Sequence, residues 1–565
     1  MSRACRIDYM KMKCGGVFPL FLLSFLVVQS LGARENPLVF VHASVIDATG
    51  AAAQPDVTVV ITGDRITAMG RSLDLPLPEN AQIVDATGKF LIPGLWDMHV
   101  HWEDKEYLPL FIANGVTGVR IMWGFPSHHE WRKEIEHGSL LGPRLLIAST
   151  IVDGPNPVWP GSDTAGNAAE GRQAVIKARQ DGADFVKVYS RLPRDAFFAI
   201  ADEAKKQGLP FEGHVPDSVS VEEASAAGQK SIEHLMGVFS ACSSRDTYDP
   251  VKAGAVFAAF KTNHTWQCPT LTVLRQSASD PSITNDDRVK YMPSELRLYW
   301  NARWNSRAKE SPAEMGARKK HFQRQLEIVG AMQRAGVDIL AGTDTENPYC
   351  LAGFSLHDEL GLLVQAGLAP MEALQAATRN AARFMGRENE LGTVQQGKLA
   401  DLILLDANPL NDIANTRKIN AVVYGGRLFP KSSLDEMLAK VEALAAKHSV
   451  AQMLLETYAE KVVAAAIKQY HELKSTKTAS IDISEDDLNS VGYQLVEMKR
   501  IKDAIKILKL NVEAYPQSSN VYDSLGEAYL EDGDKQLAGE NFEKSIKLDP
   551  KNRNAIDKLK QLKAQ

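Results

Sequence analysis

The spacing of apolar positions changes along the chain, and each change predicts a different kind of structure. From about Asn36 to Ala86, short apolar runs broken by turn residues read as strands, among them Leu38 to Ile46, Val57 to Ile61, Ile66 to Met69 and Ile83 to Val84. The same texture returns from Gly392 to Phe429, where LADLILLD and INAVVYGGRLF are strong strands. These β-rich flanks, 34–90 and 391–430, predict one small β-sandwich assembled from both sides of a central block. Within that block, 91–390, short apolar runs alternate with helical stretches, the pattern of a parallel sheet with crossover helices. The predicted strands are Leu95 to His101, Val116 to Met122, Arg144 to Ala148, Asp184 to Tyr189, Pro210 to His214, Ser231 to His234, Thr265 to Leu271 and Val337 to Thr343. Eight such units fit an α/β fold of the TIM type, a (β/α)8 barrel. The stretch Thr272 to Gly336, with Trp300 and Trp304, is long and charged. It reads as an elaborated outer helix pair, with a lid as the alternative.

Beyond the second flank the period becomes helical. Residues 431–482 read as a helical linker rich in Ala, Lys and Glu, and 483–565 contain an internal repeat. Gly492 and Gly526, Ala504 and Ala538, and Pro516 and Pro550 each lie 34 residues apart, and Leu508 matches Phe542. Small residues at a helix crossing, with Pro ending the second helix, resemble the tetratricopeptide repeat. So short an array seldom buries enough core alone, so the preceding helices are expected to cap it. The module reads equally as a groove for a protein partner and as a brace for the barrel.

Composition narrows the function classes. With 44% hydrophobic and 24% charged residues the chain is a globular protein, and its net charge of -6 gives no basic footprint for nucleic acid. At the start, Arg3, Arg6, Lys11 and Lys13 precede an apolar run from Val17 to Val28, and Ser30, Gly32 and Ala33 supply small residues for cleavage. The run is short of the roughly 20 residues that span a membrane. Residues 1–33 therefore read as a signal peptide, making the mature protein exported, periplasmic or secreted, with no stable membrane span; an uncleaved anchor is the alternative. Cys242, Cys268 and Cys350 would remain, too few and too scattered for a disulfide framework.

The chemistry gathers at predicted strand ends. His99 and His101 alternate with the apolar Trp96, Met98 and Val100, so on a strand both imidazoles share one face. Lys187 lies in DFVKVYS, His214 closes PFEGH, His234 closes SIEH, and Asp344 follows ILAGT. In a barrel, all would meet at the C-terminal ends of the strands, the face where active sites are built. A lone His or Lys there is commonly a satisfied polar group. A series of five strands offering His, His, Lys, His, His and Asp points instead to a metal centre.

The same motifs resemble the amidohydrolase superfamily, over roughly Asn36 to Phe429 and including the closing phrase QGKLADLILLDANPL. GVTGVRIM, SIEHLMG, CPTLTVL, AGTDT and LHDELGLLVQAGLAPMEALQAATRNAARFMG are most similar to its imidazolonepropionase-like and prolidase-like branch. The resemblance implies two divalent metals, zinc first with Mn, Co or Fe open: His99, His101 and Asp344 would hold one, His214 and His234 the other. It further implies that Lys187, carboxylated by CO2, bridges them together with a hydroxide nucleophile, and that Asp344 serves as general base and acid. A carbamate suits that place because it is an anionic oxygen ligand, whereas an ammonium repels a cation. One departure stands out: Met122 occupies a place where many relatives carry Asp. Tyr189, Arg120 and His137 are the candidate substrate contacts, while His128, His129 and His357 read as structural.

The leading expectation is hydrolysis of an amide in a dipeptide or N-acyl amino acid. The same centre acting on an ester, lactone or organophosphate is the runner-up, because the nucleophile does not choose its electrophile. A non-catalytic binding protein working through the repeat module is the reading from another class. Oligomeric state is left open.

Overall fold

The computed structural model describes residues 36–565 apart from 103, 160, 245–246, 280–284, 294–295, 298–299, 301–309, 447–449, 476–484, 551 and 565. The expected signal peptide and Trp304 lie outside the described residues.

The first flank forms strands β1 (Leu38–Val45), β2 (Gln54–Thr62), β3 (Arg65–Arg71), β4 (Gln82–Asp85) and β5 (Phe90–Pro93). The central block contributes β6 (Leu95–Val100), β7 (Val116–Ile121), β8 (Arg144–Ile147), β9 (Val152–Asp153), β10 (Asp163–Thr164), β11 (Val186–Val188), β12 (Phe211–Gly213) and β13 (Ser231–Glu233). It ends with the hairpin β14 (Ser243–Ser244) and β15 (Thr247–Tyr248), then β16 (Trp266–Cys268). The second flank supplies β17 (Leu402–Leu405), β18 (Ile419–Tyr424) and β19 (Arg427–Pro430).

Both flanks do meet, in one hydrogen-bonded ladder. Eight strands run β19-β18-β17-β5-β1-β2-β3, with β4 attached to β1. The antiparallel bridge Arg65↔Leu399 carries the β3 edge back to the approach to β17, so the sheet curls over its own apolar side. Phe40, Val59, Ile61, Leu402 and Val423 fill that side.

In the central block β6-β7-β8 pair in parallel, and so do β9-β11-β12-β13-β16. The bridge Ala148↔Phe185 links the two sets, while Gln267↔Ile339 and Val100↔Thr345 connect β16 and β6 to the segment 339–345. Strands are present at seven of the eight expected positions; Val337 to Thr343 forms only the isolated bridge at Ile339. The segment still bonds both neighbours, with Gln267 N to Asp338 O at 3.0 Å and Leu340 N to Gln267 O at 2.8 Å on the β16 side, and Met98 N to Ala341 O at 2.9 Å and Asp344 N to His99 O at 2.8 Å on the β6 side. Glycine at 342 lets the segment lie close against β6. A Cβ on Gly342 would sit 2.8 Å from the Cβ of His99, and Asp344 turns to φ 61°.

Alternation works as the sequence suggests. Val186 and Val188 join Phe197 and Ile200 of the helix Arg194–Gln207 in the main core, leaving Lys187 on the opposite face. The long helix Pro312–Ala335 packs Phe322, Leu326, Val329 and Met332 into the same core, the behaviour of an outer helix.

The C-terminal region is helical. Helix Lys431–Ala445 belongs to the main core through Leu434, Val441 and Ala445, so the expected linker begins as part of the α/β domain. Helices Val450–Glu460, Val463–Ser475, Glu485–Glu497 and Ile501–Ala514 share a second core, and Ser519–Glu531, Lys535–Leu548 and Arg553–Ala564 complete the array. The 34-residue register reappears as contacts: an ideal Cβ at Gly492 would lie 2.4 Å from Leu508, and one at Gly526 2.7 Å from Phe542. Glycine at each crossing lets the paired helix approach closely. Among the described residues no helix is long and apolar enough to cross a membrane.

Candidate metal centre

His99 and His101 leave the end of β6 on one face, their ring centroids 5.3 Å apart. His234, just past β13, brings its ring within 4.4 Å of His99, and His214, just past β12, lies 5.0 Å from His234. Asp344 closes the group. Its Oδ1 is 3.4 Å from His99 Nε2 and 3.3 Å from His101 Nε2, and its Oδ2 is 3.7 Å from His234 Nδ1. One ligand atom each from His99, His101 and Asp344 fall within 4.8 Å of one another. Lys187 is fully buried on β11. Gly213 on the next strand makes room for it, since a Cβ there would come within 3.0 Å of Lys187 Cδ.

Three of the four histidines are aimed by a bond to Nδ1. His99 Nδ1 meets Glu233 at 2.7 Å, His214 Nδ1 meets the Ser190 hydroxyl at 2.8 Å, and His234 Nδ1 meets the Thr270 hydroxyl at 2.6 Å. Next to Thr270 the chain is anchored by Glu359, which accepts from the N–H groups of Leu271 and Thr272 and from the Thr272 hydroxyl. Under the site, Asp97 accepts from the N–H groups of His99 and Thr343 and from the Thr343 hydroxyl. His234, Leu235, Thr270 and Asp344 all take left-handed backbone conformations, at φ 58°, 56°, 47° and 61°. Such strain costs about 1–3 kcal/mol per residue and collects where function requires it.

The electrostatics deprotonate the donors. Burial, then the nearby Lys187 cation, drives the His99 and His214 imidazoles well below their ordinary range, and burial lowers His234 too. Burial also lowers the Lys187 ammonium to about 8. For Asp344, burial pushes upward but His234, His101 and Lys187 outweigh it, so its carboxyl stays below the usual value. Two buried atoms, His99 Nε2 and Lys187 Nζ, have no hydrogen-bond partner. Neutral imidazoles and a carboxylate around one point are a donor set that fits divalent cations.

The candidate substrate contacts divide. Tyr189 is at the centre: its ring stacks on His214 with centroids 3.9 Å apart, and Lys187 Nζ lies 5.6 Å from the ring centroid. Arg120 is not a pocket residue. It is fully buried, bonded to Met98 O, Glu212, Ser231 and Glu233, and acts as the ionic pin beneath the site. His137 is also misplaced as a substrate contact. It caps the helix Pro126–Glu136 by bonding Lys133 O at 2.7 Å and borders a separate 440 Å³ cavity with Leu141, Arg144 and Tyr424. His128 bonds Trp102 O and His357 spans Thr416 and Asn114 O, both internal roles. Sequence reasoning missed Glu233, although it immediately precedes His234; alternation points its side chain away from that of Ile232 and toward the interior.

A sequence profile of the amidohydrolase family matches residues 90–429. Ochratoxinase of Aspergillus niger is 24% identical over 443 residues, covering 66% of this chain and 82% of that enzyme. Among solved structures, bottromycin amidohydrolase superposes with a TM-score of 0.62 at 24% identity, covering 73% of this chain and 92% of that one. A Xaa-Pro dipeptidase with bound methionine gives 0.54 at 20% identity, over 70% of this chain and all of that one, 100%.

Proposed function

This chain belongs to the amidohydrolase family and is a hydrolase acting on carbon–nitrogen bonds, and we propose that it cleaves the amide of a dipeptide or N-acyl amino acid. The observation that carries the reading is the convergence of ligand atoms from His99, His101 and Asp344, with His99 Nε2 and the buried Lys187 Nζ both lacking a hydrogen-bond partner. Leaving such groups bare costs stability, which a cation on His99 Nε2 and conversion of the Lys187 amine to an anionic carbamate would return. The pairing that runs from β6 to β16 and on to 339–345 supports reading the domain as a (β/α)8 barrel with this cluster at its C-terminal mouth.

His99, His101 and Asp344 would hold one divalent ion, and His214 and His234 a second. Lys187 would join them as a carbamate: the free amine bonds the carbon of CO2 and releases a proton. When bound, the metals would polarise the scissile carbonyl and lower the pKa of water. Asp344 would take the proton from the attacking water as the new C–O bond forms, then deliver it to the departing nitrogen as the C–N bond breaks. Tyr189, beside His214, would donate its phenol proton to a substrate oxygen.

Metal analysis and turnover test this together. Protein stripped and reloaded with zinc or manganese should carry two equivalents and hydrolyse Xaa-Pro dipeptides or N-acyl amino acids. Turnover confined to a lactone or phosphotriester would shift the reading to those esters, and failure to bind metal would overturn it. Export is proposed from Arg3 to Ala33, and N-terminal sequencing of secreted protein should begin near Ala33 or Arg34. The helical array is read as tetratricopeptide-like on the matched contacts of Gly492 and Gly526.

A further inference from the structure

The loop between β9 and β10 stands between Tyr189 and the helical array. Its Trp159 donates the indole N–H to the Tyr189 hydroxyl at 2.8 Å. The loop is fastened from within. Asp153 accepts from the N–H groups of Gly154, Val158 and Arg191 at 2.9, 2.8 and 2.6 Å, Ser162 Oγ donates to Trp159 O at 2.9 Å, and Lys177 pairs with Asp163 at 2.7 Å. Its outer side faces the helix Arg553–Ala564 across a cavity of about 290 Å³, with Gly161, Asp163 and Glu170 on one wall and Asp557, Lys558 and Gln561 on the other. That helix is anchored to the array: Asn554 donates to Asp523 at 3.1 Å and to Glu527 at 3.0 Å, and Tyr493 donates to the same Glu527 at 2.7 Å.

We infer that Trp159 is a positioning residue for Tyr189, and that the terminal helix of the helical module sets it through Gly161 to Thr164, which Ser162 ties to Trp159 O. A phenol oxygen has one proton and accepts through its lone pairs. With the Trp159 N–H donating to that oxygen, the Tyr189 proton is left free for an acceptor in the site, and the ring is held on His214. The module is then a wall of the enzyme, not an appendage. The inference rests on the reading of Tyr189 as a donor to substrate.

Two measurements on the full-length protein separate these claims. Labelling tryptophan with ¹⁵N gives at most eight indole N–H signals, and Trp159→Phe identifies one of them. Tyr189→Phe should shift that signal by removing its acceptor; an unmoved signal overturns the positioning role. Lys558→Glu, which sets a carboxylate against Asp163 and Glu170, and Gln561→Trp, which fills the cavity, should also shift it. If neither does, the helix has no hold on the loop. In turnover of the best amide substrate, Tyr189→Phe should lower kcat about 10²-fold, as loss of a transition-state donor does. Trp159→Phe should lower kcat about tenfold with KM little changed, and the double variant should be no slower than Tyr189→Phe alone. Additive losses would refute the coupling. If no amide is turned over, the functional reading fails, and the indole signals still decide this inference.

Discussion

The α/β domain and the helical module bury different things. The former encloses Lys187, Arg120, Glu212, Glu233, Asp97 and His99, all but wholly removed from solvent. The module's cores are made of residues such as Leu488, Val491, Leu508, Phe542 and Ala538, and its buried carboxylate, Asp523, accepts from Asn552 and Asn554. Packing of the second kind is what stability alone selects. Buried charge costs several kcal/mol per group unless paired, and Arg120 with its two glutamates offsets only part of the charge in the first domain. Uncompensated burial therefore marks where a fold gives up stability for chemistry.

Lys187→Ala gives the largest effect expected from this contrast. It should lose at least one metal and nearly all turnover, and formate or propionate, entering the vacated bridge, should restore part of both. A variant with both metals and its full rate would place Lys187 among ordinary buried residues. Next in size is Asp344→Asn, which keeps shape and an oxygen ligand but removes the base. Turnover should fall about 10²–10⁴-fold while most metal stays. Full metal with a near-normal rate would assign Asp344 to holding alone.

The same contrast explains what could be seen in the sequence. His99 and His101 were legible because a strand's period of two puts them on one face, and Lys187 because Val186 and Val188 flank it. The module's register was legible because Gly492 and Gly526 repeat with their partners. Arg120 was misread because its partners Glu212 and Glu233 lie 92 and 113 residues away, brought near only by the parallel pairing of strands. Ser190 and Thr270, which engage the second nitrogens of His214 and His234, carry no local signal either. The close approach of Gly342 to His99 is likewise a meeting of two segments far apart in the chain. Patterns along one element are readable; meetings between elements are not.

The module offers the complementary test. Phe542 fills the space beside Gly526, so Phe542→Ala should destabilise the array by about 3–5 kcal/mol, the usual cost of emptying an aromatic site. Denaturant unfolding followed by far-UV circular dichroism would show an early transition for the helical array, with metal content unchanged. Loss of metal in step with that transition would mean the two regions do not divide their roles in this way.

The smallest effect tests the burden on Lys187 directly. Burial lowers its pKa from 10.5 to about 8 in the folded protein. Below pH 8 both states carry the proton, and the cost of burying it is fully present. As pH rises from 8 to 10.5 the folded state releases the proton while the unfolded chain keeps it, so stability increases with pH. The full span is on the order of 3 kcal/mol. Metal-free protein kept free of CO2 should show this rise relative to Lys187→Met. Protein equilibrated with bicarbonate should show less of it, because a carbamate has no ammonium to lose. A level difference between wild type and Lys187→Met across that window would mean the amine is not strained by burial, and the contrast between the two regions would lose its sharpest term.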